Sequence, residues 1–148
     1  MTENKKIKIK PYVIYLFVGM FVMFALNKLL LRPFVLQNDL ANALQVMVLS
    51  FPNFAEAVMG TMVLTGILFR VKHITLQKVT FLQPGHVFLA AAILAAIYVI
   101  FGELRVHNLG NNNTYDPNDL IASVIGLNLA YFTVRKFGFA TIHESAKN

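Results

Sequence analysis

The sequence predicts an all-α fold: a four-helix transmembrane bundle with an extra interfacial amphipathic helix and with both termini in the cytoplasm. Of the 148 residues, 57% are hydrophobic and 14% are charged, whereas soluble domains usually have about 25% charged residues. The mean hydropathy of +0.60 agrees with this bias. Basic residues flank the apolar runs rather than forming a patch of their own. We therefore expect one polytopic membrane domain over residues 1–148.

The first predicted span covers residues 12–31 and follows four lysines. A run of about 20 residues, at a rise of about 1.5 Å per residue, crosses about 30 Å of hydrocarbon. A basic start and an apolar run are also typical of a signal peptide, but this run is too long and no small-x-small cleavage site follows it. We predict an uncleaved helix, with Lys28 and Arg32 extending toward the interface at its far end.

Residues 38–51 have a different pattern, in which polar side chains recur at helical spacing opposite apolar ones. The polar residues are Asn38, Asp39, Asn42 and Gln45, and the apolar ones are Leu40, Leu44, Val48 and Phe51. Such a pattern is typical of a helix that lies in the interface plane. Two other interpretations are a packed connector and the beginning of a longer second span.

Pro52 is predicted to end that helix, because the residue before a proline is pushed out of the helical region. The second span then covers residues 53–69. Asn53 and Glu56 fit a capping box, in which the asparagine side chain and the glutamate three residues later satisfy free backbone N–H groups. If the span instead begins near residue 43, Glu56 lies deep in the bilayer, where a charge is costly and a functional role is favoured.

The third predicted span covers residues 86–103, after a basic connector over residues 70–85, and the fourth covers residues 119–136. Small residues four apart allow two helices to approach closely. We expect the third and fourth spans to pack on each other through such residues: Ala92, Ala96, Ala122, Gly126 and Ala130.

Polar residues mark the start and the middle of the fourth span. Asp116 is predicted to be the N-cap, Pro117 suits the first helical position, and Asp119 falls at the third. Ser123 and Asn128 are predicted to be polar residues within the membrane. A buried amide needs a partner, and for Asn128 a hydrogen bond to another helix is favoured over a polar cavity.

The charges predict which side of the membrane each connection occupies. The N-terminus, the 70–85 connector and the C-terminal tail together hold ten basic residues against two acidic ones, and the remaining segments hold three against five. The positive-inside rule places the first group in the cytoplasm. Because the lysines flank apolar segments, the net charge of +6 indicates topology rather than nucleic-acid binding.

The acidic side contains the residues that we select as a candidate external polar site: Glu56, Glu103, Arg105, His107, Asp116 and Asp119. Paired carboxylates in a partly dry site perform acid–base chemistry or hold a divalent cation. The alternative is that they are helix caps and ion pairs. No established catalytic, cofactor or metal motif is present, so we expect no cofactor and no metal, and whether the protein is an enzyme stays open.

The C-terminal half resembles the VanZ-like family of small bacterial membrane proteins. The resemblance rests on Glu103, on a polar loop that ends in Thr114-Tyr115-Asp116, and on Asp119 and Gly126. The chain differs from the usual family residues at Val106, Ser123 and Ala130. The resemblance implies a multi-pass protein of the bacterial cytoplasmic membrane and envelope, in a family whose founding member contributes to resistance to the lipoglycopeptide teicoplanin.

Two functions follow from these observations. The first is a VanZ-like envelope protein that acts on or binds a lipid-linked or lipid-tailed molecule through the external acidic site. The second is a non-enzymatic accessory or assembly subunit of a larger membrane complex. The expected partners are the lipid bilayer, a lipid-linked ligand, and a protein partner or second copy bound through the small-residue helix faces.

Overall fold

A computed structural model describes residues 5–38, 40–75, 83–108 and 116–144. The helices are α1 (Pro11–Leu26), α2 (Arg32–Gln37), α3 (Asn42–Thr75), α4 (Pro84–Asn108) and α5 (Pro117–Phe137), with a π-helical turn (Asn27–Leu31) between α1 and α2. Two short strands, β1 (Lys5–Ile9) and β2 (Ala140–Glu144), pair antiparallel.

Within the described parts of the chain, four helical stretches are long and apolar enough to cross a membrane: Pro11–Gln37, Asn42–His73, Pro84–Gly102 and Pro117–Phe137. The prediction of an all-α fold with four apolar helices is confirmed, apart from the short strands. Because β1 precedes the first stretch and β2 follows the last, the pairing brings the two ends of the chain to the same end of the bundle. We call this end the strand end, and the opposite one the far end.

The first helical stretch is longer than predicted because it continues through the π-helical turn into α2. That turn lies directly before Pro33. In a regular α-helix the proline ring would clash with the carbonyl group of Leu29, four residues earlier, and the wider π turn relieves this clash. Proline thus changes the helix type here without ending the helix.

The predicted break at Pro52 is wrong, and residues 42–51 belong to α3 rather than to a separate interfacial helix. Instead α3 runs unbroken from Asn42 to Thr75 with Pro52 inside it. In an α-helix the carbonyl of Val48 would accept a hydrogen bond from the N–H of residue 52, which proline lacks. The side-chain amide of Asn27 donates to that carbonyl at 3.0 Å instead, so a neighbouring helix satisfies the group that Pro52 leaves free.

Helices α3 and α5 approach closely at Gly126. A Cβ atom on residue 126 would lie 2.5 Å from the carbonyl oxygen of Phe54 and 3.2 Å from Cβ of Ala57. One turn earlier on α5, the buried Ser123 hydroxyl donates to the carbonyl of Asn53 at 3.5 Å. The predicted use of small residues is therefore correct for Gly126, but its partner is α3 rather than the alanine-rich helix α4.

The alanines of α4 differ in burial. Ala91 and Ala95 are buried, whereas the predicted Ala92 and Ala96 are half-buried. Ala95 packs with Ala57 and Leu127, and Ala96 packs against the same cluster, so its predicted use in packing is correct. Small side chains on α4 therefore contact α3 as well as α5. The small residues at four-residue spacing in the sequence do not by themselves identify the partner helix.

At the strand end, the residues before α1 close the C-terminus of α5. Gly138 has a φ of 71° and ends α5, a conformation that favours glycine. The ammonium group of Lys10 donates to the carbonyl of Phe137, where a cation also complements the helix dipole. The Tyr12 hydroxyl donates to the Gly138 carbonyl at 2.8 Å. These bonds attach the start of α1 to the end of α5.

Candidate functional site

At the far end, the described part of the predicted acidic group is built around the start of α5. The Asp116 carboxylate accepts from the backbone N–H and the side-chain amide of Asn118, both at 2.9 Å. This confirms Asp116 as the N-cap. The Oδ1 atom of Asp119 is buried and has no hydrogen-bond partner among the described residues. Asp119 is thus the less satisfied carboxylate of the two.

The helical backbone of α4 extends to Asn108, five residues beyond the predicted end of the third span. Glu103, Arg105 and His107 therefore lie within a helix and not in a loop, and Glu103 is not the last helical residue. Their side chains lie outside the described residues. Whether they approach Asp116 and Asp119 stays a prediction.

Glu56 lies away from the two aspartates. It is the fifteenth residue of the 32-residue stretch Asn42–His73, so the predicted capping box with Asn53 is wrong. Because Gly126 contacts Phe54, Glu56 is level with a point about ten residues into α5. At a rise of about 1.5 Å per residue, that is about 15 Å from Asp116 along the bundle. The structure thus corresponds to the alternative in which the second span begins near residue 43.

The Glu56 side chain is exposed on the outside of the bundle. Its Oε1 atom accepts a hydrogen bond of 3.3 Å from the hydroxyl group of Tyr98 on α4. No basic side chain in the described parts of the chain pairs with it. Tyr98 was not selected from the sequence, although a tyrosine in an alanine-rich apolar helix is a usable signal for a polar contact.

The two polar residues of the fourth span have different environments. Ser123 is buried between α5 and α3, as its bond to Asn53 requires. Asn128 is exposed, and its amide donates at 2.8 Å to the carbonyl of Val124 on its own helix. The expected bond from Asn128 to another helix is therefore wrong, because a carbonyl four residues earlier satisfies the amide locally.

Near the strand end, a groove of about 570 Å³ lies between α1 and α3. Its walls are formed by β1, α1, α3 and the residue that follows Gly138. All the described lining residues are apolar or glycine except Arg70, and no described side chain pairs with that guanidinium group. The size is in the range of sites for small molecules, about 300–1,000 Å³.

Arg70 lies close to the strand-end limit of its helical stretch, three residues before His73. From the sequence, Arg70 is predicted to lie in the basic connector over residues 70–85, and it is not among the candidate site residues. The described lysine and arginine side chains of this end of the bundle, besides Arg70, are Lys8, Lys10, Lys72, Arg135 and Lys136. The groove therefore combines an apolar interior with a positively charged end.

Among the side chains that the structure describes, no three of histidine, aspartate or glutamate lie together as a metal-binding group. No family model matches the chain, and no curated protein or solved structure matches it significantly. The resemblance to the VanZ-like family thus stays a prediction.

Proposed function

We propose that this is a multi-pass membrane protein that binds a lipid-tailed or lipid-linked molecule with an anionic group, in the groove between α1 and α3. The observation that supports this most strongly is the groove itself, whose interior is apolar and whose described lining contains one charged residue, Arg70. An alkyl chain fits the apolar walls. A phosphate or carboxylate at the head of that chain meets the guanidinium group, which binds such anions well.

A membrane location is supported by the outer surface of the helices. Large apolar side chains are exposed along all four helical stretches, with Leu29 72% exposed and Phe101 66% exposed. Soluble monomers rarely expose large continuous apolar patches. In a bilayer, the same side chains contact lipid, and the groove opens to the acyl chains.

We further propose that both termini are cytoplasmic and that the membrane is the bacterial cytoplasmic membrane. Support for the orientation comes from the basic strand end and the positive-inside rule. The chain has no cysteine, so single cysteines report cleanly. A membrane-impermeant thiol reagent should label Asn112→Cys in intact cells and Leu76→Cys only after permeabilisation, and the opposite pattern would reverse the orientation.

Lipid binding is tested by native mass spectrometry of the protein released from nanodiscs. The discs contain phosphatidylglycerol and phosphatidylcholine with identical acyl chains, so that the headgroup is the single variable. We expect one anionic lipid to remain bound under conditions that remove phosphatidylcholine. Arg70→Gln should abolish this preference, because the amide carries no charge.

Lys28→Gln is the matched control, since Lys28 is an exposed cation on the same helical stretch as the groove-lining part of α1 but lies outside the groove. It should keep the preference for phosphatidylglycerol. If both substitutions reduce the retention of phosphatidylglycerol equally, the lipid is held by general surface electrostatics and the groove is not the site. If neither substitution reduces it, Arg70 does not contribute to lipid binding.

The resemblance to the VanZ-like family supports a role in the bacterial envelope, with antibiotic resistance as its readout. Expression of the chain in a susceptible Gram-positive host should raise the inhibitory concentration of teicoplanin more than that of vancomycin, which lacks the fatty acyl tail. Glu103→Gln at equal membrane abundance should remove this difference if the acidic group takes part. An unchanged susceptibility to both drugs would remove the resistance role while leaving the lipid groove to its own test.

A second candidate function is that of an accessory subunit in a larger membrane complex. The observation that favours it is Glu56, an exposed carboxylate in the middle of an apolar helical stretch. Within a bilayer, such a group faces lipid unless another protein covers it.

A further inference from the structure

The Glu56 carboxylate lies at the position along α3 where a charge is most costly in a bilayer. It is close to the midpoint of Asn42–His73, and it points out of the bundle. Ionisable residues at this depth are rare and usually pair with another charge or with a polar cavity. The single hydrogen bond from Tyr98, at 3.3 Å, leaves the charge itself without a counterion among the described residues.

Space for another helix lies beside this carboxylate. Gly60 is four residues after Glu56 and therefore on the same face of α3, and a Cβ atom there would meet nothing within 4 Å. On α4, Gly102 is four residues after Tyr98 and lies on the same face, and a Cβ atom there would also meet nothing within 4 Å. Small residues at a helix surface allow a second backbone to approach closely.

We propose that this face, formed by Glu56, Gly60, Tyr98 and Gly102, binds a transmembrane helix of a different protein that carries a lysine or arginine near its middle. This inference rests on the second candidate function and names the chemistry of the partner. The backbone of the partner packs over Gly60, and its cation pairs with Glu56 away from water. In such surroundings an ion pair is screened much less than at a protein surface.

None of the described basic side chains of a second copy lies at the level of Glu56. On α5, Arg135 is nine residues, or about 13 Å, past Gly126, which is close to that level. At the far end, Lys28 follows Asn27, and Asn27 contacts Val48, which is eight residues, or about 12 Å, from the level of Glu56. Two copies related by an axis along the membrane normal keep these levels, so neither Lys28 nor Arg135 of one reaches Glu56 of the other.

The inference is tested with synthetic transmembrane peptides in phosphatidylcholine vesicles. The peptides are leucine–alanine helices that differ at one central residue, which is lysine, leucine or glutamate. Energy transfer from a donor dye on Gln83→Cys to an acceptor on the peptide measures association. We expect the lysine peptide to associate about tenfold more tightly than the leucine peptide, equivalent to about 1.4 kcal/mol, and the glutamate peptide to be weakest.

Three substitutions identify the face. Glu56→Gln keeps the shape of the side chain but should reduce the lysine preference to about one, and Gly60→Leu should weaken both the lysine and leucine peptides by filling the space. Asn128→Leu is the control, because Asn128 is another exposed polar residue within a candidate span but lies on α5. It should leave the lysine preference unchanged.

Equal association of the lysine and leucine peptides would overturn the inference, as would a lysine preference that survives Glu56→Gln. Energy transfer between two labelled copies of the protein, lost in Gly60→Leu, would assign the face to a second copy instead. Arg70→Gln should not alter the peptide preference. Failure of the peptide experiment is therefore distinguishable from failure of the lipid groove.

Discussion

Helix α3 contacts α5 and α1 in two different ways. Against α5 the backbones come close together, because Gly126 has no side chain and faces the carbonyl of Phe54. Against α1 the contact is made by larger apolar side chains, such as Phe17 and Met20, which pack on a cluster that contains Val58 and Met62 of α3, and a groove remains beside them. The α3–α5 contact is thus closed and the α1–α3 contact is partly open.

The two contacts have different consequences for stability. α1 is attached at its two ends, by Asn27 to Val48 at the far end and by the bonds of Lys10 and Tyr12 at the strand end. Between these attachments, the groove lies beside α3. Substitutions in the α3–α5 contact should therefore affect folding most, and those around α1 should affect it less.

The largest effect is expected at Gly126. Gly126→Ala should lower the free energy of unfolding in detergent by about 1–3 kcal/mol, because overpacking against the backbone forces the helices apart, and Gly126→Leu should lower it further. Gly60→Ala is the control: its Cβ meets nothing within 4 Å, and alanine is the better helix former by about 1 kcal/mol. Equal effects at both glycines would show that the α3–α5 contact is not closed.

A smaller effect is expected at Asn27. Asn27→Leu removes the donor to the Val48 carbonyl and should destabilise the protein by about 1–2 kcal/mol. Pro52→Ala restores a backbone N–H for the same carbonyl, so Asn27→Leu should cost less in that background. A double-mutant cycle of thermal unfolding measures this coupling. Additive effects would mean that Asn27 does not compensate for the proline.

The smallest effect is expected at Tyr12, where the hydroxyl group is partly exposed. Tyr12→Phe removes the hydrogen bond to the Gly138 carbonyl and should lower the free energy of unfolding by about 0.5–1.5 kcal/mol. Tyr15→Phe, on the exposed side of the same helix, should have no effect. A larger loss at Tyr15 than at Tyr12 would contradict the attachment of α1 to the end of α5.

Local signals predicted the helices and the start of α5 well. Asp116 as N-cap and Pro117 at the first helical position are both correct, because capping depends on a few neighbouring residues. The helix break predicted at Pro52 is wrong because the Val48 carbonyl that this proline leaves free accepts from Asn27, which is 25 positions before Pro52 in the sequence. No local rule contains that contact.

Tertiary features were less accessible for the same reason. A small-residue stripe indicates that Gly126 lies in a close contact but does not identify α3 as the partner. The alternating KKIKI segment of β1 has the period of a strand, yet its partner β2 is at the other end of the chain. The groove with Arg70 requires α1, α3 and both strand-end segments together, so only the assembled bundle reveals it.

Quenching of a single tryptophan by brominated lipids tests the proposed lipid site most directly, since the chain has no tryptophan of its own. Ile67→Trp places the indole in the groove, and Tyr15→Trp places it next to the groove-lining Ile14 but on the exposed side of α1. In vesicles with a small fraction of brominated phosphatidylglycerol, we expect strong quenching at position 67 and weak, composition-proportional quenching at position 15. We also expect Arg70→Gln to remove the excess quenching at position 67. Equal quenching at the two positions, or an excess that persists in Arg70→Gln, would contradict an anionic lipid site between α1 and α3.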